Sequence, residues 1–223
     1  MSYGAAFDAW RRAAGAEWEA YVHHPFVAGL GDGSLPKEAF LRYLVQDYVF
    51  LIHFSRAWAL AVVKSDTLAE MKMAAGVVDG LVNHEMQLHV TTCGEAGITE
   101  AELEAAEEHP ANLAYTRYVL EAGQAGDLAD LLAALAPCVL GYGEIGARLG
   151  AQGARGPYAD WIETYAGEEY QALARETGAL IDAALERRIG APFAASPRWT
   201  RLTHRFVTAT RLEQGFWQMG LSG

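Results

Sequence analysis

The residues best placed to do chemistry are two acids and a thiol, each set among apolar neighbours at helical spacing. Residues three, four and seven apart share one face of a helix. One stripe runs Phe40, Tyr43, Leu44, Asp47, Phe50, Leu51, Phe54, Trp58, with Asp47 in its middle. A second runs Leu128, Leu131, Leu135, Cys138, Tyr142, Ile145, Leu149, with Gly141 and Gly143 flanking Tyr142. A third runs Trp199, Leu202, Phe206, Ala209, Glu213, Phe216, Gly220. A carboxylate turned into a core is costly unless it is paired or hydrogen-bonded. A Glu held there has its pKa raised by desolvation, which suits a proton donor near neutral pH. Each residue also has an ordinary explanation. Asp47 fits a structural acid bonded to a Tyr, Arg or Trp of another helix, and Glu213 fits a salt bridge to Arg205 or Arg211. Cys138 fits a small inert hydrophobe. Three helices that each aim an acid or a thiol inward point to a shared polar pocket, of the kind bundles form between their helices. The aromatic residues on these faces suit a flat ring better than a phosphate or a sugar.

Other chemistries fit less well. His84 and His89 in the run His84-Glu85-Met86-Gln87-Leu88-His89 are five apart. That is about 140° round a helix, whereas the zinc-protease pair is four apart. A di-iron bundle needs paired Glu-x-x-His motifs; Glu85 to His89 is one residue too long and has no second copy. No glycine-rich phosphate loop is present. The sequence therefore predicts no metal site. Cys93, beside Gly94 at a helix end, reads as a half-buried structural thiol.

The elements that carry these stripes are helices nearly throughout, because the apolar period is helical and strand-like alternation is missing. The first helix is expected near Phe7–Tyr21, turned by Pro25 after His23-His24. Ser34 and Pro36 open a long helix to about Lys64. Thr67 with Glu70, and Thr99 with Glu102, are capping boxes; the helix opened at Thr67 is expected to close between Asn83 and Gly94. Pro110 starts a helix ending near Gly123, and Asp127 one ending near Gly150 with a kink at Pro137. Pro157 opens a short helix to about Tyr165. Another spans residues 167–190, and Ser196-Pro197 begins the last, ending at Gly220. The expectation is one all-α domain over residues 1–223, with about eight to ten helices.

Composition bounds the function. The chain has 223 residues, 52% of them hydrophobic, enough for a core without disulfides. It carries 17 Lys+Arg against 28 Asp+Glu, a net charge of −11 that repels nucleic acid and anionic membranes. The N-terminal residues do not read as a signal peptide, and the uncharged stretch from Leu131 to Gly143 is too short to span a bilayer. Two cysteines make no disulfide framework, so a reducing cytoplasm is the expected compartment.

The segment His24-Pro25-Phe26-Val27 with residues 29–35 (GLGDGSL), then Val45-Gln46-Asp47, resembles the TenA family, the bacterial thiaminase II enzymes. So do Leu135-Ala136-Pro137-Cys138 with Tyr142, Glu144 and Gly146, and the final Glu213, Phe216, Trp217, Met219. The resemblance implies a heme-oxygenase-like all-α fold, assembled as a homotetramer. It implies aminopyrimidine aminohydrolase activity in thiamin salvage: 4-amino-5-aminomethyl-2-methylpyrimidine to the hydroxymethyl pyrimidine plus ammonia, and in many members cleavage of thiamin itself, with no metal or organic cofactor. It implies that Cys138 is the nucleophile, placing the chain in the cysteine-containing class. By the same matching, Asp47 binds the amino-pyrimidine edge and Glu213 handles the proton. Tyr115, Tyr142 and Tyr165 hold the ring, and Phe216 walls it. The chain departs from well-known members at Phe50, where they carry a tyrosine that hydrogen-bonds the glutamate. Two other readings stay open: a pyrimidine-binding protein that turns nothing over, and a heme-oxygenase-like enzyme with another substrate.

Overall fold

Local sequence sets where each helix begins and ends. In the computed structural model, which describes residues 2–153 and 156–222, there is no strand among the described residues. Among the described residues twelve α-helices follow one another: α1 Ala5–Ala14, α2 Ala16–Val22, α3 Pro25–Asp32, α4 Lys37–Lys64, α5 Leu68–Gly80 and α6 Met86–Glu95. Then come α7 Glu100–Glu104, α8 Pro110–Ala125, α9 Leu128–Ala151, α10 Ala159–Ala166, α11 Glu168–Ile189 and α12 Trp199–Leu221.

Both expected capping boxes are formed, with Thr67 accepting from the Glu70 amide and Thr99 from the Glu102 amide. A third, Asp127 with Asp130, opens α9. The helix count exceeds the expected eight to ten for identifiable reasons. The expected first helix is broken at Gly15, whose φ of 50° is open to glycine at little cost. The chain does leave the helix where expected, at Val22 just before Pro25, but Pro25 also opens a further helix, α3, with the His24 ring accepting from the Phe26 amide as the cap. Helices α5 and α6 run on through a single π-helical segment, Leu81–Glu85, so the expected single helix is one body with a wide turn inside it.

Helix α9 is the axis of the molecule and is packed by α4, α8, α10, α11 and α12. Its length and apolarity would suit a bilayer, but 89% of its most apolar window is buried inside the protein. Pro137 lies within it without ending it, and the Tyr21 hydroxyl donates to the Pro137 carbonyl at 3.2 Å. Gly141, one turn on, is needed there: a Cβ would stand 2.4 Å from the Tyr21 ring. Helix α12 is tied down at its C-terminus by Arg42 of α4, which donates to the Gly220 carbonyl at 3.0 Å, a cation at the negative end of the dipole. These ties fix the three helices that carry Asp47, Cys138 and Glu213 against one another.

Candidate active site

The three striped residues lie close enough to act on one another electrostatically. Asp47 from α4 and Cys138 from α9 line a common cavity of about 30 Å³, with Phe50, Phe54, Leu81, Glu85, Tyr142 and Tyr170 in its wall. Glu213 stands behind that wall on α12, 1% exposed, and the Tyr115 hydroxyl donates to its Oε1 at 2.8 Å. The Phe50 ring lies between, 5.0 Å from the Tyr115 ring and 5.4 Å from that of Phe216. The cavity therefore holds Asp47, Cys138, Phe50 and Tyr142 directly, while Glu213, Tyr115 and Phe216 form the layer beneath. Tyr165 is on the other side. It lines an adjoining cleft of about 800 Å³ that shares Val77, Leu81, Glu85, Tyr170 and Leu173 with the cavity.

The partners differ from the ordinary ones the sequence offered. Arg205 pairs with Asp130 and Glu121, and Arg211 with Glu17, so neither reaches Glu213. Asp47 takes Tyr43 from its own helix, whose hydroxyl donates to Oδ2 at 3.1 Å, and His89 of α6, whose Nε2 lies 2.7 Å from the same oxygen. Glu144, part of the motif near Cys138, faces away and binds Arg11 and Trp18. Cys93 is fully buried rather than half-buried.

His89, Glu85 and Tyr170 are site residues that the stripes did not reveal; Tyr43 lies on the Asp47 stripe, but only the structure shows its hydroxyl bound to that acid. The signal was present for two of them: Glu85 and His89 are four apart and share a helix face, a spacing the metal test passes over. The Glu85 carboxyl accepts from the Tyr165 hydroxyl at 2.9 Å. No group of three or more ligating side chains suited to a metal occurs among the described residues.

The electrostatics favour the neutral forms of Glu213, Cys138 and Glu85. Burial, opposed in part by the Tyr115 hydrogen bond and reinforced by the Asp47 charge, pushes Glu213 up to about 8. Burial, then the charges of Glu213, Asp47 and Glu85, raise the Cys138 thiol far above its ordinary value. Burial and the Asp47 charge raise Glu85, against the pull of His89 and the Tyr165 bond. Among the described residues no Lys or Arg lines the cavity.

An all-α chain whose long central helix presents a thiol to a cavity also lined by the carboxyl groups of Asp47 and Glu85 and by Tyr142 and Tyr170 defines a class of small-molecule site. Residues 11–223 match the TENA/THI-4/PQQC family, and the chain belongs to it. An aminopyrimidine aminohydrolase of Halalkalibacterium halodurans is 40% identical over 205 residues, 91% of this chain and 89% of that protein. An uncharacterized protein of Haemophilus influenzae is 42% identical over 207 residues, 92% and 93% of the two chains. Among solved structures, a TenA family transcription regulator from a Silicibacter species superposes with a TM-score of 0.97 at 62% identity, covering 99% of this chain and 98% of that one. A TenA homologue from P. horikoshii gives 0.85 at 27% identity, covering 96% and 97%.

Proposed function

We propose that the protein hydrolyses the C–N bond of an aminopyrimidine, converting its aminomethyl substituent to hydroxymethyl with release of ammonia. The observation that carries this reading is the thiol of Cys138 opening onto the same cavity as Asp47, with the protonated Glu213 one layer away. Asp47 grips the amino edge of the ring. Glu213 gives its proton to the departing nitrogen and takes the thiol's proton in turn. The thiolate adds to the ring carbon beside the substituted one, and the displaced electron pair expels ammonia from the exocyclic methylene. Water then adds to that methylene, aromaticity returns, and the sulfur leaves with the water's proton. The covalent step divides a difficult displacement into easier ones. Tyr142 and Phe50 bound the ring, and Tyr115 holds Glu213 in place of the missing family hydroxyl at position 50.

The adjoining cleft supports a cationic substrate. Asp79, Glu85, Glu169 and Glu176 stand in its wall and, among the described residues, no Lys or Arg does, which favours approach of a protonated amine or a thiazolium. A ring needs more room than the cavity alone supplies, so the ligand draws on the cleft where the two share Leu81 and Glu85. The same negative balance, −11 over the chain, disfavours direct binding to DNA by this chain, although the Silicibacter relative is named a transcription regulator. The exposed apolar side chains Val63, Leu68, Met71 and Val82 supply a face for self-association into the homotetramer the family resemblance implies.

The test is ammonia release from the aminomethyl pyrimidine. The wild type turns over, while Cys138→Ser loses activity by about 10³-fold or more and still binds the hydroxymethyl product. Turnover near the wild-type rate in that variant would reject the nucleophile. Binding without any ammonia from the wild type would favour a carrier.

A further inference from the structure

His89 occupies a position that the reaction so far leaves unexplained. It is 5% exposed and Asp47 is 4% exposed. Its Nδ1 faces the backbone carbonyl of Glu85 at 2.9 Å. A carbonyl oxygen can only accept, so Nδ1 carries a hydrogen. Its Nε2 faces Asp47 Oδ2 at 2.7 Å, and two bare acceptors at that distance would repel, so one proton lies between them. Oδ2 also accepts from Tyr43 and is therefore filled. Asp47 Oδ1 has no hydrogen-bond partner among the described residues, and Asp47 belongs to the cavity wall.

We propose that His89 is a positioning residue: as an imidazolium it holds the Asp47 carboxylate by Oδ2 and leaves Oδ1 free to accept from the exocyclic amine of the ligand. This deepens the aminopyrimidine reading and rests on it. The groups facing the imidazole favour its charged form. From α4 comes Asp47, with Tyr43 on the same oxygen. From the π-helical segment come the Glu85 carbonyl and carboxyl, the latter bonded in turn to Tyr165 of α10. Burial alone would drive the proton off, but the bond and charge of Asp47, with Glu85 behind, outweigh it and raise the imidazole's pKa. Without His89 the carboxyl keeps only the tyrosine and gains a second orientation in which Oδ2 faces the ligand. A neutral His89 would shift the proton onto Asp47 and weaken Oδ1 as an acceptor.

The experiment has two arms on the intact protein. In the first, nitrogen-15 NMR of histidine-labelled wild type at pH 7, with the His89 signals assigned by their loss in His89→Gln, reads whether both ring nitrogens are protonated. Protonation of both is expected, and an unprotonated Nε2 overturns the proposal. In the second, calorimetry with the hydroxymethyl pyrimidine and steady-state ammonia release are measured for wild type, His89→Gln and His89→Leu. The Gln amide still donates to Oδ2, so its binding weakens by about 10-fold, and the Leu variant weakens by about 100-fold. In both, KM rises more than kcat falls. The loss of binding that wild type shows as pH rises through the imidazole's raised pKa disappears in the Gln variant. A folded Leu variant that binds as wild type does overturns the proposal. If Leu does not fold, the Gln titration and the NMR decide. Wild type that neither binds nor hydrolyses the pyrimidine overturns the functional reading instead, and the NMR result separates that outcome from a failed His89–Asp47 pairing.

Discussion

At the scale of single residues, protonation is what the burial of the site controls. Glu213, at about 8, is a neutral acid at pH 7, as a donor must be. Its activity as a donor is therefore expected to persist through neutral pH and to fall as pH rises through about 8. The stability effect has the same sign. A buried acid whose folded pKa lies above its unfolded value near 4.5 binds more protons folded than unfolded between those values, so the native state loses stability as pH rises from 4.5 to 8. Glu213→Gln is expected to remove that component: urea midpoints at pH 5 and pH 8.5 should lie closer together in the variant than in the wild type. Equal spacing would show that Glu213 already titrates near its ordinary value. The residue scale is also where the sequence was most and least legible. A lone acid on an apolar stripe, as at Asp47 and Glu213, is visible because its cost demands a partner. The identity of that partner is not visible: Tyr115 is 98 residues from Glu213 and His89 is 42 from Asp47, and no periodicity links them.

At the scale of elements, caps and breakers explain most of what the sequence disclosed. Thr67, Thr99 and Asp127 start helices where their side chains accept backbone hydrogens, and these were readable as local chemistry. Pro25 follows the end of α2, where the sequence places a helix end, but its fixed φ also opens α3, a helix that the proline alone does not announce because proline suits both the exit from one helix and the first turn of the next. The π-helical segment Leu81–Glu85 contains no proline or glycine that would announce it in the sequence. Such turns recur at functional sites and hold their hydrogen bonds less well than the α-helices beside them. Leu81 and Glu85 stand between the cavity and the cleft, so a ring ligand must order this turn. Hydrogen exchange at Leu81–Glu85 is expected to slow by about 10-fold or more on adding the hydroxymethyl pyrimidine, with little change in the α9 core. Unchanged exchange there, at saturating ligand, would mean the ligand enters elsewhere.

At the scale of the whole molecule, three helices distant in sequence are brought to one place by the central α9 and by ties such as Arg42 to the end of α12. Three inward-facing polar stripes foretell that the helices meet; that Asp47 and Cys138 line one cavity while Glu213 stands a layer behind it depends on the packing of Phe50 and Phe216, which no single stripe discloses. Surface charge and assembly belong to this scale as well. Light scattering on the purified chain is expected to give a mass four times 24.2 kDa, and a monomer would reject the apolar face as an interface. The central claim is that Asp47, Cys138 and Glu213 serve one ligand. The measurement that tests it most directly is a crystal structure with the hydroxymethyl pyrimidine bound. The amino edge is expected at Asp47 Oδ1 and the Cys138 sulfur against the ring face. A ring seated away from Asp47, or a cavity still closed with ligand bound elsewhere, would contradict it.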